Sequence, residues 1–134
     1  MIIVEKLTKS FGPKLAVDNI SFSVEKGEVL GFLGPNGAGK STSMRMITGF
    51  LSPSAGKVSV CGFDVVEQGL KSRRKLGYLP ENAPMYSDMS VFGFVSFCAE
   101  LRGLYGSAKQ KAIDRAVQLC FLEPFLLQSV DTLS

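Results

Sequence analysis

Apolar and polar residues alternate along the first part of this chain and then change period. Residues 2 to 7 alternate loosely and predict a first strand, and Lys9 to Lys14 reads as a turn carrying one aromatic, Phe11. Ile20, Phe22 and Val24 fall at every second position and predict a half-buried strand over 15–24. Glu25-Lys26-Gly27-Glu28 is a turn into Val29-Leu30-Gly31-Phe32-Leu33, an apolar run of the kind a buried parallel strand carries, so a mixed sheet is expected. Met44, Met46, Ile47 and Phe50 sit among helix-compatible residues, which starts a helix near Gly39. A loop at 51–56, broken by Pro53 and Gly56, leads to an alternating strand at 57–61. A short polar helix over 67–75 follows, then a second short apolar run at 76–79 that Pro80 stops.

Beyond Pro84 the period becomes helical. Val91, Phe94, Val95, Cys98 and Leu101 mark a helix over 90–102 with Ser90 as its N-cap. Ile113, Ala116, Val117, Cys120 and Phe121 form the apolar stripe of a second helix over 107–121, with Gly103 and Gly106 at the break. The fold class is therefore α/β: a core over 1–84, a helical segment over 85–128, and a short tail, 129–134.

The stretch between the apolar run and the first helix carries the chemistry. Gly34-Pro35-Asn36-Gly37-Ala38-Gly39-Lys40-Ser41-Thr42 fits G-x-x-x-x-G-K-[ST], the phosphate-binding loop. Glycines let backbone N–H groups approach an anion with no Cβ in the way. Lys40 supplies a compact positive charge for phosphate oxygens, and Ser41 a hard oxygen suited to Mg²⁺. Strand, glycine loop and helix start is the order this mechanism demands, since the helix start adds partial positive charge at the phosphates.

Composition narrows the partners. With 134 residues, 46% hydrophobic and 20% charged, the chain is a globular domain rather than a disordered one. A net charge of +3 suits an anionic ligand but not nucleic acid, which brings a dense basic stripe. The one basic cluster, Lys71, Arg73, Arg74 and Lys75, reads as a solvated helix face. No apolar run is long enough to span a bilayer. The absence of histidine removes the commonest general base, leaving carboxylates, lysine and bound metal. Cys61, Cys98 and Cys120 form no C-x-x-C pair and read as small buried hydrophobes in a reducing compartment.

The sequence GPNGAGKST over Gly34 to Thr42 resembles the phosphate loop of ATP-binding-cassette (ABC) transporter ATPases. Other pieces of that family's pattern follow in order. Pro53-Ser54-Ala55-Gly56 resembles the segment after the first helix, and Leu76-Gly77-Tyr78-Leu79-Pro80-Glu81-Asn82 its Q-loop. Ser90-Val91 onward resembles its helical subdomain, and Asp131-Thr132-Leu133-Ser134 the lead-in to its signature motif. The GYLPEN segment and the aromatics opening the helical part look like bacterial ABC-2-type exporters and gliding-motility relatives.

The resemblance implies ATP and Mg²⁺ as ligands. Phe11 stands where an aromatic commonly stacks on adenine, the alternative being a turn-packing hydrophobe. Lys40 and the N–H groups from Gly37 to Ser41 would hold the phosphates, Ser41 would ligate Mg²⁺, and Thr42 would reach the α-phosphate. Glu81 replaces the usual Gln, offering an oxygen to Mg²⁺ or the attacking water, unless it is a solvent-facing loop carboxylate. With Lys40 it makes up the implied catalytic set. The implied partners are a transmembrane permease contacting residues 82–97 and a second ATPase subunit in a head-to-tail dimer. The implied place is cytoplasmic, on the inner face of the cell membrane. The chain stops before a complete signature motif and Walker B strand, so a truncated subunit that binds ATP but hydrolyses it poorly alone is expected. A non-transport cassette protein, or an inactive remnant, is the alternative.

Overall fold

The computed structural model describes residues 1–81 and 86–133. The chain divides into two compact units, Met1–Tyr78 and Leu79–Ser134.

The first unit is built on a long hairpin. Strands β1 (Ile2–Phe11) and β2 (Lys14–Val24) pair antiparallel from Ile2↔Val24 to Phe11↔Lys14. The turn needs only Gly12 and Pro13, so both strands run closer to the tip than the turn signals between Lys9 and Lys14 suggest. Strand β3 (Ala55–Val60) pairs with the other side of β1, and a two-residue β4 (Phe63–Asp64), not anticipated from the sequence, closes the order β2-β1-β3-β4. Helix α1 (Lys40–Ile47) buries Ser43, Met46 and Ile47. Met46 and Ile47 join Val4, Leu7, Val17, Val58, Val60 and Val65 in one core. Leu7 and Met46 are fully enclosed, each a burial worth about 1.5–3 kcal/mol. A short α2 (Gly69–Arg73) stands where the 67–75 helix was read.

Among the described residues the sheet is antiparallel throughout. The run 29–33 forms no ladder: Val29 is 95% exposed and Leu33 96%, while Phe32 alone anchors it, edge-on to Phe22 at 5.3 Å. The run at 76–79 also forms no strand, and Leu79 is 84% exposed. A parallel strand is stable only with partner strands beside it and cover on both faces, and the four described strands pair only with one another. These apolar sequences keep the composition of buried strands without the neighbours that would make them so.

The second unit is helical. Helix α3 (Val91–Leu101) starts at Ser90, whose hydroxyl accepts from the Gly93 N–H at 3.1 Å, the N-cap expected from the sequence. Helix α4 (Gly106–Leu119) lays Ile113 and Val117 against Ala99, with Val95, Leu104, Leu122 and Leu126 around them. The buried α3 positions are Val91, as read from the sequence, and Ala99, while Cys98 and Leu101 are exposed. Among the described residues all three cysteines are exposed, so the buried-hydrophobe reading does not hold. Helix α4 stops two residues short of Phe121, which takes φ +54° and ends the helix. Single 3₁₀ turns at Glu123–Phe125 and Val130–Thr132 complete the unit. No helix among the described residues is long and apolar enough to cross a membrane.

Candidate functional site

The phosphate-loop sequence produces the geometry its residue types require. Gly37 and Gly39 adopt φ +86° and +85°, and Gly39 is the N-cap of α1. A Cβ at Gly39 would lie 2.4 Å from the Ala16 carbonyl oxygen and 3.1 Å from Val17 Cγ2. The end of the loop therefore rests on the β2 backbone, and only glycine fits there. The Ala38 N–H donates to the Pro35 carbonyl at 3.2 Å, closing the loop as a turn. The first intrahelical bond of α1 is Ser43 N–H to Gly39 O at 2.8 Å. In an α-helix the amides before that point have no carbonyl ahead of them, which leaves those of Lys40, Ser41 and Thr42 as donors at the loop. No acidic residue stands in the first turn of α1 and Arg45 lies in its last, so the helix start is electropositive.

Lys40 folds back over this loop. Its ammonium donates to the Gly34 carbonyl oxygen and, at 2.7 Å, to that of Pro35. A compact cation is thereby held on the loop's own carbonyls. Ser41 is exposed and Thr42 half-buried. Of the sequence-derived set, Gly34, Pro35, Asn36, Gly37, Ala38, Gly39, Lys40, Ser41 and Thr42 thus form one contiguous loop and helix start.

Phe11 belongs to the same region by topology. It pairs with Lys14 at the hairpin tip, two residues before the Ala16 carbonyl on which Gly39 rests. Its ring is half exposed and carries the Lys9 ammonium at 5.3 Å from its centroid. Lys9 is anchored by donating to the Ser52 carbonyl at 2.7 Å. Sequence reasoning missed this lysine, although a cation two residues before an aromatic on one strand face is a legible signal.

Glu81 lies in the second unit and is exposed. Of the 82–97 partner segment, Asn82, Ala83, Pro84 and Met85 lie outside the described residues. The rest includes Tyr86, 53% exposed and edge-on to Phe97 at 5.5 Å, and Phe92, 43% exposed. Among the described residues no group of three or more acidic, cysteine or histidine side chains is placed to hold a metal ion by itself.

The geometry finds its counterparts among known proteins. Residues 17–134 match the family described as ABC transporter. The chain is 37% identical over 133 residues to the probable multidrug ABC transporter ATP-binding protein YbhF of Escherichia coli, covering 99% of this chain and 23% of that protein. It is 36% identical over 115 residues to the linearmycin resistance ATP-binding protein LnrL of Bacillus subtilis, covering 85% of this chain and 37% of that one. The chain thus spans well under half the length of these relatives. Among solved structures, an ATP-binding subunit of an ABC transporter superposes with a TM-score of 0.87 at 25% identity, over 99% of this chain and 55% of that one. The dimeric bacterial cassette MJ0796 shares the fold with a TM-score of 0.85 at 22% identity, over 100% of this chain and 63% of that chain. Family match, relatives and fold agree with the phosphate loop at the head of α1, and the chain belongs to the ABC transporter family, among its ATP-binding subunits.

Proposed function

We propose that this chain binds ATP as the nucleotide-holding part of an exporter ATPase. The observation that carries the reading is the Lys40 ammonium held over a glycine loop whose last glycine caps α1. The β- and γ-phosphates take the Lys40 charge and the first amides of α1, the α-phosphate the Thr42 hydroxyl, and adenine the face of Phe11. The donor set fits a phosphate, since amides, an ammonium and hydroxyls converge without a carboxylate in the first turn. Mg²⁺ bound with the nucleotide would draw on the Ser41 hydroxyl and on Glu81, and supplies charge neutralisation during phosphoryl transfer. The relatives named for multidrug and linearmycin resistance favour an exporter.

In the same reading, the core over 1–84 holds the nucleotide. The helical part over 85–128 meets the membrane partner, with contact centred on residues 82–97, and 129–134 leads toward a signature motif. The dimeric cassette supports a second ATPase subunit facing the loop. The chain acts on the cytoplasmic face of a membrane through its partner. Alone it turns ATP over slowly, because no cluster of carboxylates among its described residues is placed to hold the metal.

Thermal unfolding with and without Mg-ATP tests the reading. Ligand at about 100 times its Kd adds about 2.7 kcal/mol to a folded binder, roughly a 10 °C rise in Tm for a domain of this size. No rise, or an equal rise in Lys40→Ala, refutes it.

A further inference from the structure

Lys9 and Phe11 stand two residues apart near the end of β1, with the Lys9 ammonium 5.3 Å from the centre of the Phe11 ring. That is within the reach of a cation–π contact. The ammonium also donates to the Ser52 carbonyl at 2.7 Å. Ser52 lies in the segment between α1 and β3, and that segment is bonded to β1 on either side of Lys9. The Ser54 N–H donates to the Thr8 carbonyl at 2.9 Å, and the Ser54 hydroxyl accepts from the Ser10 N–H at 3.1 Å. The acceptor that holds Lys9 is therefore itself held. Among the described residues Lys9 forms no ion pair with a carboxylate, so a carbonyl and the ring are what meet its charge. Lys9 is half-buried, while Phe11 is 50% exposed and keeps ring surface open to a ligand.

We propose that Lys9 is a positioning residue for the base: its tethered ammonium covers one face of Phe11, and adenine stacks on the opposite face. The inference rests on the nucleotide reading above and deepens it. An aromatic ring is negative on its faces and positive at its edge. A cation fixed beside Phe11 therefore attracts a face and repels the edge, which selects among the ring's rotations. The Ser52 bond keeps the ammonium from following the ring as it turns. A ring oriented before the base arrives has less freedom to lose on stacking. Lys9 thus acts on the base through Phe11 and not on the phosphates. Arginine can replace it, since a guanidinium also donates to a carbonyl and lies over aromatic faces.

Calorimetric titration of the full chain with Mg-ATP and with inorganic triphosphate tests this on Lys9→Gln, Lys9→Arg, Phe11→Ala and the double variant Lys9→Gln/Phe11→Ala. Lys9→Gln is expected to weaken ATP about two- to fivefold, the worth of a cation–π contact at an exposed site, and to leave triphosphate unchanged. Lys9→Arg keeps the parent's ATP affinity. Once Phe11 is alanine, Lys9→Gln costs nothing more, since residues that act through one another are not additive. Unchanged ATP affinity in Lys9→Gln overturns the proposal. So does an equal loss for ATP and triphosphate, which would make Lys9 a phosphate attractor or a support of the fold. A loss that Lys9→Arg shares, or that persists undiminished in the double variant, overturns it too. The two readings fail differently. Parent-like ATP binding by Phe11→Ala removes the stacking role and Lys9 with it, whereas weakened binding there beside an unaffected Lys9→Gln removes the Lys9 inference alone.

Discussion

Replacing Gly39 with alanine separates two costs that the phosphate loop imposes on its glycines. Gly37 and Gly39 have nearly the same φ, +86° and +85°. Alanine at either position adopts a left-handed conformation costing about 1–2 kcal/mol. Both substitutions also stiffen the unfolded chain equally, which cancels in the comparison. The surroundings differ. A Cβ at Gly37 meets nothing within 4 Å, whereas at Gly39 it falls 2.4 Å from the Ala16 carbonyl oxygen. That oxygen is backbone of β2 and cannot swing aside, so the loop or the hairpin must move. Overpacking of this kind adds about 1–3 kcal/mol. Gly37→Ala should therefore destabilise by roughly 1–2 kcal/mol, and Gly39→Ala by roughly 2–5 kcal/mol in total. Urea unfolding followed by circular dichroism measures both. Equal losses for the two variants would refute the claim that the loop is seated on β2.

Three further outcomes follow from the same geometry. Phe11→Ala should weaken ATP binding by about 1–3 kcal/mol, the worth of base stacking on an aromatic, with binding of inorganic triphosphate unchanged in a competition assay. Phe121→Gly should raise stability by about 0.5–1 kcal/mol in denaturant titration, left-handed strain relieved less the added chain entropy. Helices α1 and α3 end in the same two-bond motif as α4, but with Gly49 and Gly103 at the left-handed position where α4 has Phe121. Although Cys98 is exposed as a residue, partial desolvation of its thiol raises its pKa above the ordinary value, partly offset by the Arg102 charge. Its thiolate fraction at neutral pH is therefore lowered, so site-resolved alkylation should be slower at pH 7.5 in the folded chain than in urea. It should climb with rising pH and slow further in Arg102→Gln.

The elements legible in the sequence are those whose signal is local. Ser90 announces α3 because a cap is chosen by its neighbours within one turn, and the 3.1 Å bond to Gly93 is that signal realised. The phosphate loop is legible for a similar reason: four fixed residue types follow from one backbone shape and one ligand. The run Val29–Leu33 misleads because an apolar run does not say whether a partner strand lies beside it, and Val29 and Leu33 are exposed. The α3 stripe holds at Val91 and Val95 and slips by one residue at Cys98, since Cys98 and Ala99 are both small and apolar and only the packing of Ile113 and Val117 decides between them. Strand β4 was missed because two residues carry no periodicity. Lys71, Arg73, Arg74 and Lys75 are exposed, as the sequence implies, while the nearness of Gly49 and Gly69 to the Arg73 guanidinium becomes visible only in three dimensions.

The central claim is that Lys40 and the head of α1 hold the phosphates of a nucleotide. Calorimetric titration of the purified chain with ATP and with adenosine, repeated on Lys40→Ala, tests it most directly. The account predicts that ATP binds far more tightly than adenosine. Lys40→Ala should lose about 1.5–3 kcal/mol for ATP, the worth of a hydrogen bond to a charged group, and nothing for adenosine. Equal affinity for ATP and adenosine, or full ATP affinity retained in Lys40→Ala, would contradict it.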